Sequence, residues 1–132
     1  MQAAALIVLG GGLYVALEHL WRGRSHISMF FLGGICFFLV GAINELSPMG
    51  LVWQSFLGAG IITVLEFACG LVVNVALGLN VWDYKDLPLN FKGQVCLKYF
   101  LLWIGVSALA ILADDILRLV LFSQPWPGCR LF

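Results

Sequence analysis

Long apolar stretches separated by short polar punctuation dominate the chain. Four of them cover approximately residues 3–20, 28–44, 51–77 and 95–121, with lengths of 18, 17, 27 and 27 residues. A bilayer-crossing helix needs about 20 apolar residues and accommodates roughly 17–25. All four are therefore predicted to cross, the last two by tilting or by extending beyond the hydrocarbon. Strand-like alternation is absent, which argues against a small barrel. The expected fold is an all-α integral membrane protein: four transmembrane helices in an up-down bundle, one domain over residues 1–132. Only Met1 and Gln2 precede the first stretch, without a basic segment. It reads as a retained span, not a cleaved secretory signal.

The punctuation differs from one connection to the next. Pro48 and Gly50 mark a tight turn between the second and third spans. The third connection, residues 78–94 (GLNVWDYKDLPLNFKGQ), is too polar for hydrocarbon and too aromatic for a simple linker. Trp82, Tyr84 and Phe91 suit the headgroup region, where amphipathic rings anchor. Pro88 and Gly93 forbid one continuous helix. The expectation is an ordered interfacial loop with at most one helical turn, in which Asp83 or Asn90 caps a turn or the next helix. Orientation follows from the basic residues. Arg22, Arg24, Lys85, Lys92 and Lys98 flank the first and third connections, against Arg118 and Arg130 at the other end. That five-to-two division places the first and third loops in the cytoplasm and both termini outside.

Composition agrees with the pattern. Apolar residues make up 62% of the chain and charged residues 11%, against roughly 45–50% and about 25% in globular proteins. Mean hydropathy is +1.02. Seven acids and seven bases cannot clothe a soluble surface, and a net charge of zero argues against a nucleic-acid partner. Four crossings leave no room in these residues for a soluble catalytic or ATPase domain. Cys36, Cys69, Cys96 and Cys129 form no C-x-x-C and no zinc-spaced cluster, and read as small packing residues. G-x-S-x-G, H-E-x-x-H and phosphate-loop patterns are absent. No enzyme, no cofactor and no metal site is expected. A lipid-modifying centre at Asp83, Asp86 and Asn90 is a distant third option.

The polar groups inside the spans require explanation, because each costs about 2.5–3.5 kcal/mol on insertion scales. Glu66 falls near the middle of the third span. Thr63, Glu66, Gly70 and Asn74 are spaced 3, 4 and 4 apart and share one helical face, which should point into the protein. Two readings stay open for Glu66: a hydrogen-bonded group joining helices, or part of a substrate or ion pathway. Glu18 lies near the inner end of the first helix, with Tyr14 and Arg22 one turn to either side. Glu45 lies beside Asn44 at the outer end of the second. Asp114 and Asp115 precede Arg118 by 4 and 3 residues, which favours an ion pair. Glu18, Glu66 and Glu45 or Asp114 would also supply carboxylates at inner, middle and outer depth, as a cation or proton path requires.

Glycine suggests close helix packing. Gly12 with Ala16, and Ala59 with Thr63, are small-xxx-small pairs, and Gly33, Gly34 and Gly41 thin the second helix. His19 and His26 flank the first loop and read as solvated interfacial residues, since no ligand set accompanies them.

From Glu66 to Trp103 the sequence resembles a family of small bacterial membrane proteins, the CmpB-like permeases named Putative ABC-transporter type IV. LEFACGLVVN (65–74), NVWDY (80–84), LPLNFKGQVCL (87–97) and Trp103 carry the resemblance. It couples an intramembrane glutamate to a Trp-Asp-Tyr loop and an Asn-x-x-Gly approach to the last helix. The resemblance implies membrane transport, with any ATP use left to a separate subunit because Walker motifs are absent. The expectation is a transport-type membrane protein embedded in the lipid bilayer, acting as a homo-oligomer or with other membrane subunits. The alternative is a non-transporting tetraspan scaffold or regulatory subunit. Transport predicts a water-accessible Glu66; a scaffold predicts a dry, hydrogen-bonded one.

Overall fold

A computed structural model describes residues 2–23, 26–46, 49–79 and 81–123, without the side chains of residues 44 and 45. Four helices make up the described architecture: α1 (Gln2–Arg22), α2 (Ile27–Leu46), α3 (Leu51–Gly70) and α4 (Leu97–Phe122). α3 continues into a π-helical segment, Leu71–Ala76, so the apolar helix runs unbroken from Leu51 to Ala76. A two-residue hairpin, β1 (Asn90–Phe91) paired antiparallel with β2 (Val95–Cys96), precedes α4. Three helices are long and apolar enough to cross a membrane, and the second contributes a shorter apolar segment, Ile27–Ile43. No barrel is formed among the described residues.

Helix ends follow local chemistry. Gly23 takes φ +75° and returns its N–H to His19 O at 2.9 Å, which closes α1. His26 Nδ1 accepts the Ser28 N–H at 3.1 Å at the start of α2, so this histidine caps a helix instead of being merely solvated. The sequence places the fourth span's start at residue 95. The helix starts at Leu97, because Val95 and Cys96 are taken up by pairing with Phe91 and Asn90. Arg24, Pro48, Cys129 and Arg130 lie outside the described residues.

Glycine sets the helix spacing, and the two small-xxx-small pairs divide: Ala59 is buried in the core with Thr63 half-buried, but the Gly12 and Ala16 pair is unused. Gly12 has open space around it and Ala16 is exposed. A Cβ on Gly10 would strike the Phe37 side chain, and one on Gly34 would strike Ile7 O. Gly33 abuts Tyr14 and Gly11 abuts Phe30. The seam between α1 and α2 thus uses the glycines one turn or less away from the predicted face. Gly41 fits the second expectation, since the Asp114 side chain occupies the space a side chain there would need.

α1 packs mainly on α2 and α4 mainly on α3, while α2 touches both α3 and α4. The central core gathers Cys36, Val40, Ala59, Ile62, Trp103 and Ile111. A second cluster of Met29, Val73, Val81 and Trp82 lies under the third loop. Large apolar residues such as Leu17, Val64 and Leu109 stay exposed on the outer faces. Water would leave such surfaces unsatisfied, whereas lipid tails match them.

Candidate functional site

The inward face of α3 is the one its spacing predicts. Glu66 and Gly70 are buried and Thr63 and Asn74 half-buried. At Leu71–Ala76 the ladder widens to the five-residue spacing, with Leu77 N–H reaching Val72 O at 2.9 Å. Such a bulge turns the residues after it relative to a regular helix. Here it brings Asn74 against the third loop. Asn74 Oδ1 accepts the Val81 N–H at 2.6 Å, and its Nδ2 donates to Gln94 Oε1 at 2.8 Å.

These bonds clasp the two ends of the loop onto α3. Trp82 Nε1 donates to Gln94 O at 2.9 Å, and Gln94 Nε2 donates to Lys92 O at 3.0 Å. From α1, Arg22 Nη2 donates to Val81 O at 2.6 Å, while Nη1 pairs with Glu18 at 2.9 Å. Glu18 therefore sits one turn from its cation, buried, and fixes the arginine that holds the loop. Asp83 Oδ1 accepts the Lys85 N–H at 3.0 Å. Asn90 Nδ2 donates to Leu87 O at 2.8 Å, and its Oδ1 accepts the Gly93 N–H at 3.1 Å. Both residues hold turns inside the loop; α4 begins after Cys96 with no side-chain cap. Gly93 takes φ +70°, a conformation that favours glycine. Pro88 lies exposed at the loop surface.

The loop's aromatic residues divide. Phe91 is exposed, in keeping with an interfacial anchor, but Trp82 is only 4% exposed and Tyr84 half-buried. Both point inward because their polar atoms meet protein partners: Gln94 O for the indole and Glu66 for the phenol. Tyr84 OH donates to Glu66 Oε2 at 3.1 Å. Burial pushes the Tyr84 phenol above its ordinary range, and the nearby Glu66 charge adds to the shift. Its ring stacks on Tyr99 at 4.7 Å between centroids, and Tyr99 leads to Trp103 and then Tyr14, each step 6.3 Å.

Glu66 is the focus of this arrangement. It is 2% exposed, and besides the Tyr84 hydroxyl the indole N–H of Trp103 stands beside its carboxylate as a second donor. Glu66 and Trp103 both line a cavity of about 240 Å³ between the helices. A second cavity, of about 220 Å³, shares the walls formed by Tyr14 and Trp103 and reaches Glu18 and Arg22. Glu66 is thus buried and hydrogen-bonded, yet it faces a cavity. It meets half of each of the two opposing expectations.

The other sequence candidates lie apart. Asp114 is fully buried and its Oδ2 takes the Arg118 Nε–H at 2.8 Å. It lies 11 residues along α4 from Trp103, roughly 16 Å at the helical rise. The Glu45 side chain lies outside the described residues. Among the described residues no three His, Cys, Asp or Glu side chains converge as metal ligands would. Sequence reasoning missed Gln94, Tyr99 and Tyr14 as parts of the Glu66 surroundings. Only the i,i+4 spacing of Tyr99 with Trp103 and of Tyr14 with Glu18 hinted that these rings share faces with chemistry.

The family model for Putative ABC-transporter type IV proteins matches residues 13–124. That match takes in Tyr14, Glu18, Glu66, the clasped loop and Asp114. Neither the curated proteins nor the solved structures give a match to this chain.

Proposed function

The chain belongs to the Putative ABC-transporter type IV family, and from that premise we propose that it is a permease-like membrane subunit with Glu66 at its working centre. One observation carries the reading: a buried carboxylate without a basic partner among the described residues faces a cavity of about 240 Å³. Intramembrane carboxylates placed in this way characteristically serve substrate or ion pathways. Glu18 and Asp114 are each neutralised by an arginine one turn away. In this reading they hold the frame, Asn74 holds the loop, and the moving chemistry concentrates at Glu66.

All four helices cross the bilayer in an up-down arrangement. The contacts of Ile7 with Gly34 and of Gly11 with Phe30, one number rising as the other falls, support opposed directions for α1 and α2. The Arg22 bond to Val81 supports a common side for the first and third loops, and the basic residues there make that side cytoplasmic, with both termini outside. Four slender helices enclose little space, so the subunit works in a homo-oligomer or beside other membrane subunits. Any ATP hydrolysis belongs to a partner. Proton flux into vesicles reconstituted with the protein, reported by a trapped pH dye, tests the reading. Glu66→Gln keeps shape and hydrogen bonding, and should abolish the flux while leaving the oligomer intact. Unchanged flux would leave Glu66 as helix-joining structure.

A further inference from the structure

The two cavities adjoin in the cleft between α1 and α4 and share Tyr14, Leu17, Trp103 and Val106 as walls. α1 leans on α2 and α4 on α3, and the space between them is walled by apolar side chains such as Leu13, Leu17, Val106 and Leu109.

The polar content of the cleft is selective. Arg22 is engaged through Nη1 with Glu18 and through Nη2 with Val81 O, which leaves no unopposed positive charge to attract an anion. Glu66 is the opposite case, a buried carboxylate with no basic partner among the described residues. Around it stand four aromatic rings in series, Tyr84 on Tyr99, Tyr99 beside Trp103, and Trp103 beside Tyr14. A pure hydrocarbon guest would leave the carboxylate without a counter-charge. A guest with positive charge would supply the missing counter-ion, and ring faces within about 6 Å attract cations as well. Apolar walls require the rest of that guest to be greasy.

We propose that this cleft binds a lipophilic organic cation, with Glu66 as the counter-charge and Tyr14, Tyr84, Tyr99 and Trp103 as the aromatic surfaces around it. The proposal rests on the reading of Glu66 as the working centre and adds the chemical class of the substrate. Exposed Leu13 and Leu109 form the rim of the cleft, so such a molecule enters sideways from the bilayer, where greasy cations accumulate.

Tetraphenylphosphonium and tetraphenylborate, near-identical in shape and opposite in charge, provide the test. Calorimetric titration of the purified full chain in detergent should show binding of the phosphonium and little of the borate. Glu66→Gln should weaken phosphonium binding by roughly tenfold or more. Tyr99→Leu should weaken it by roughly two- to thirtyfold. Equal binding of both ions to the unmodified protein would overturn the proposal without reference to any variant. Unchanged phosphonium affinity in a Glu66→Gln protein of normal helicity and oligomeric size would overturn it too. Flux separates the proposal from the reading beneath it. Phosphonium binding without any Glu66-dependent flux upholds the ligand class and rejects the permease. Glu66-dependent proton flux without phosphonium binding does the reverse.

Discussion

Glu66 and Asp114 lie on packed neighbouring helices, at 2% and 0% exposure, and the protein provides for them in opposite ways. Asp114 is neutralised within its own helix by Arg118, at 2.8 Å and one turn away. Gly41 on α2 gives its carboxylate room. Among the described residues Glu66 receives no cation; a hydrogen bond reaches it from Tyr84, 18 residues further on, on a loop that must first be folded and clasped. The Asp114 region carries its cation within one helix. The Glu66 region is held by longer connections and lies beside a cavity. A charge that only stabilises is best neutralised locally and permanently, whereas a charge that must meet a changing partner has to be left partly unmet.

Arg118→Met is the hardest test of this contrast and should have the largest effect. Removing one member of a buried pair typically costs about 3–5 kcal/mol, read as lost unfolding free energy in detergent. A cost no greater than that of Tyr84→Phe would erase the distinction between the two regions. The glycines beside each region sharpen it further. Gly41→Ala pushes a methyl into the Asp114 carboxylate, and Gly70→Ala pushes one into the Gln94 amide. Each should cost about 1–3 kcal/mol as overpacking. Amide exchange should then rise over residues 78–94 for Gly70→Ala alone, since only that glycine seats the loop. Exchange rising equally in both would mean that the loop is not a separate unit.

Asn74→Ala leaves the Val81 N–H and the Gln94 amide without their partner, a loss of about 1–3 kcal/mol for buried groups. The Trp82 fluorescence environment should change with it, as the indole depends on Gln94; an unchanged spectrum would place the clasp elsewhere. Tyr84→Phe takes the hydroxyl from the buried Glu66 carboxylate, a loss of about 1.5–3 kcal/mol for a hydrogen bond to a charged group. Its signature is the alkaline limb. Tyr84 in the fold holds its proton above the ordinary tyrosine value, so above about pH 10 the unfolded chain ionises first and binds fewer protons. Stability should therefore fall as pH rises past that point, and Tyr84→Phe should make the fall shallower. An identical alkaline slope in both proteins would show that the phenol is not buried as described.

Both acids could be found in the sequence, but only one of their environments could. Asp114 with Arg118, and Glu18 with Arg22, are i,i+4 pairs whose meeting is fixed by helical geometry once the helix is granted. The shared face of Thr63, Glu66, Gly70 and Asn74 followed from the same periodicity. Trp82 and Tyr84 looked like headgroup anchors because amphipathic rings generally are. Nothing local records that Gln94 and Glu66 would draw their polar atoms inward. The small-xxx-small pair at Gly12 and Ala16 was readable and is unused, because many faces of a glycine-rich helix permit close approach and the partner helix selects among them.

Helical class, the long apolar segments, the polar third loop and the within-helix ion pairs were determined by the sequence alone. Transfer free energy accumulates residue by residue and the helical repeat is constant, so neither depends on what lies across the bundle. The clasp of Asn74 and Gln94, the Tyr84 bond to Glu66 and the cleft between α1 and α4 were decided only by the tertiary structure. They depend on where a 17-residue loop (78–94) closes and on which glycine seams bring the helices together. Those are joint properties of distant segments, and no single stretch of the chain contains them.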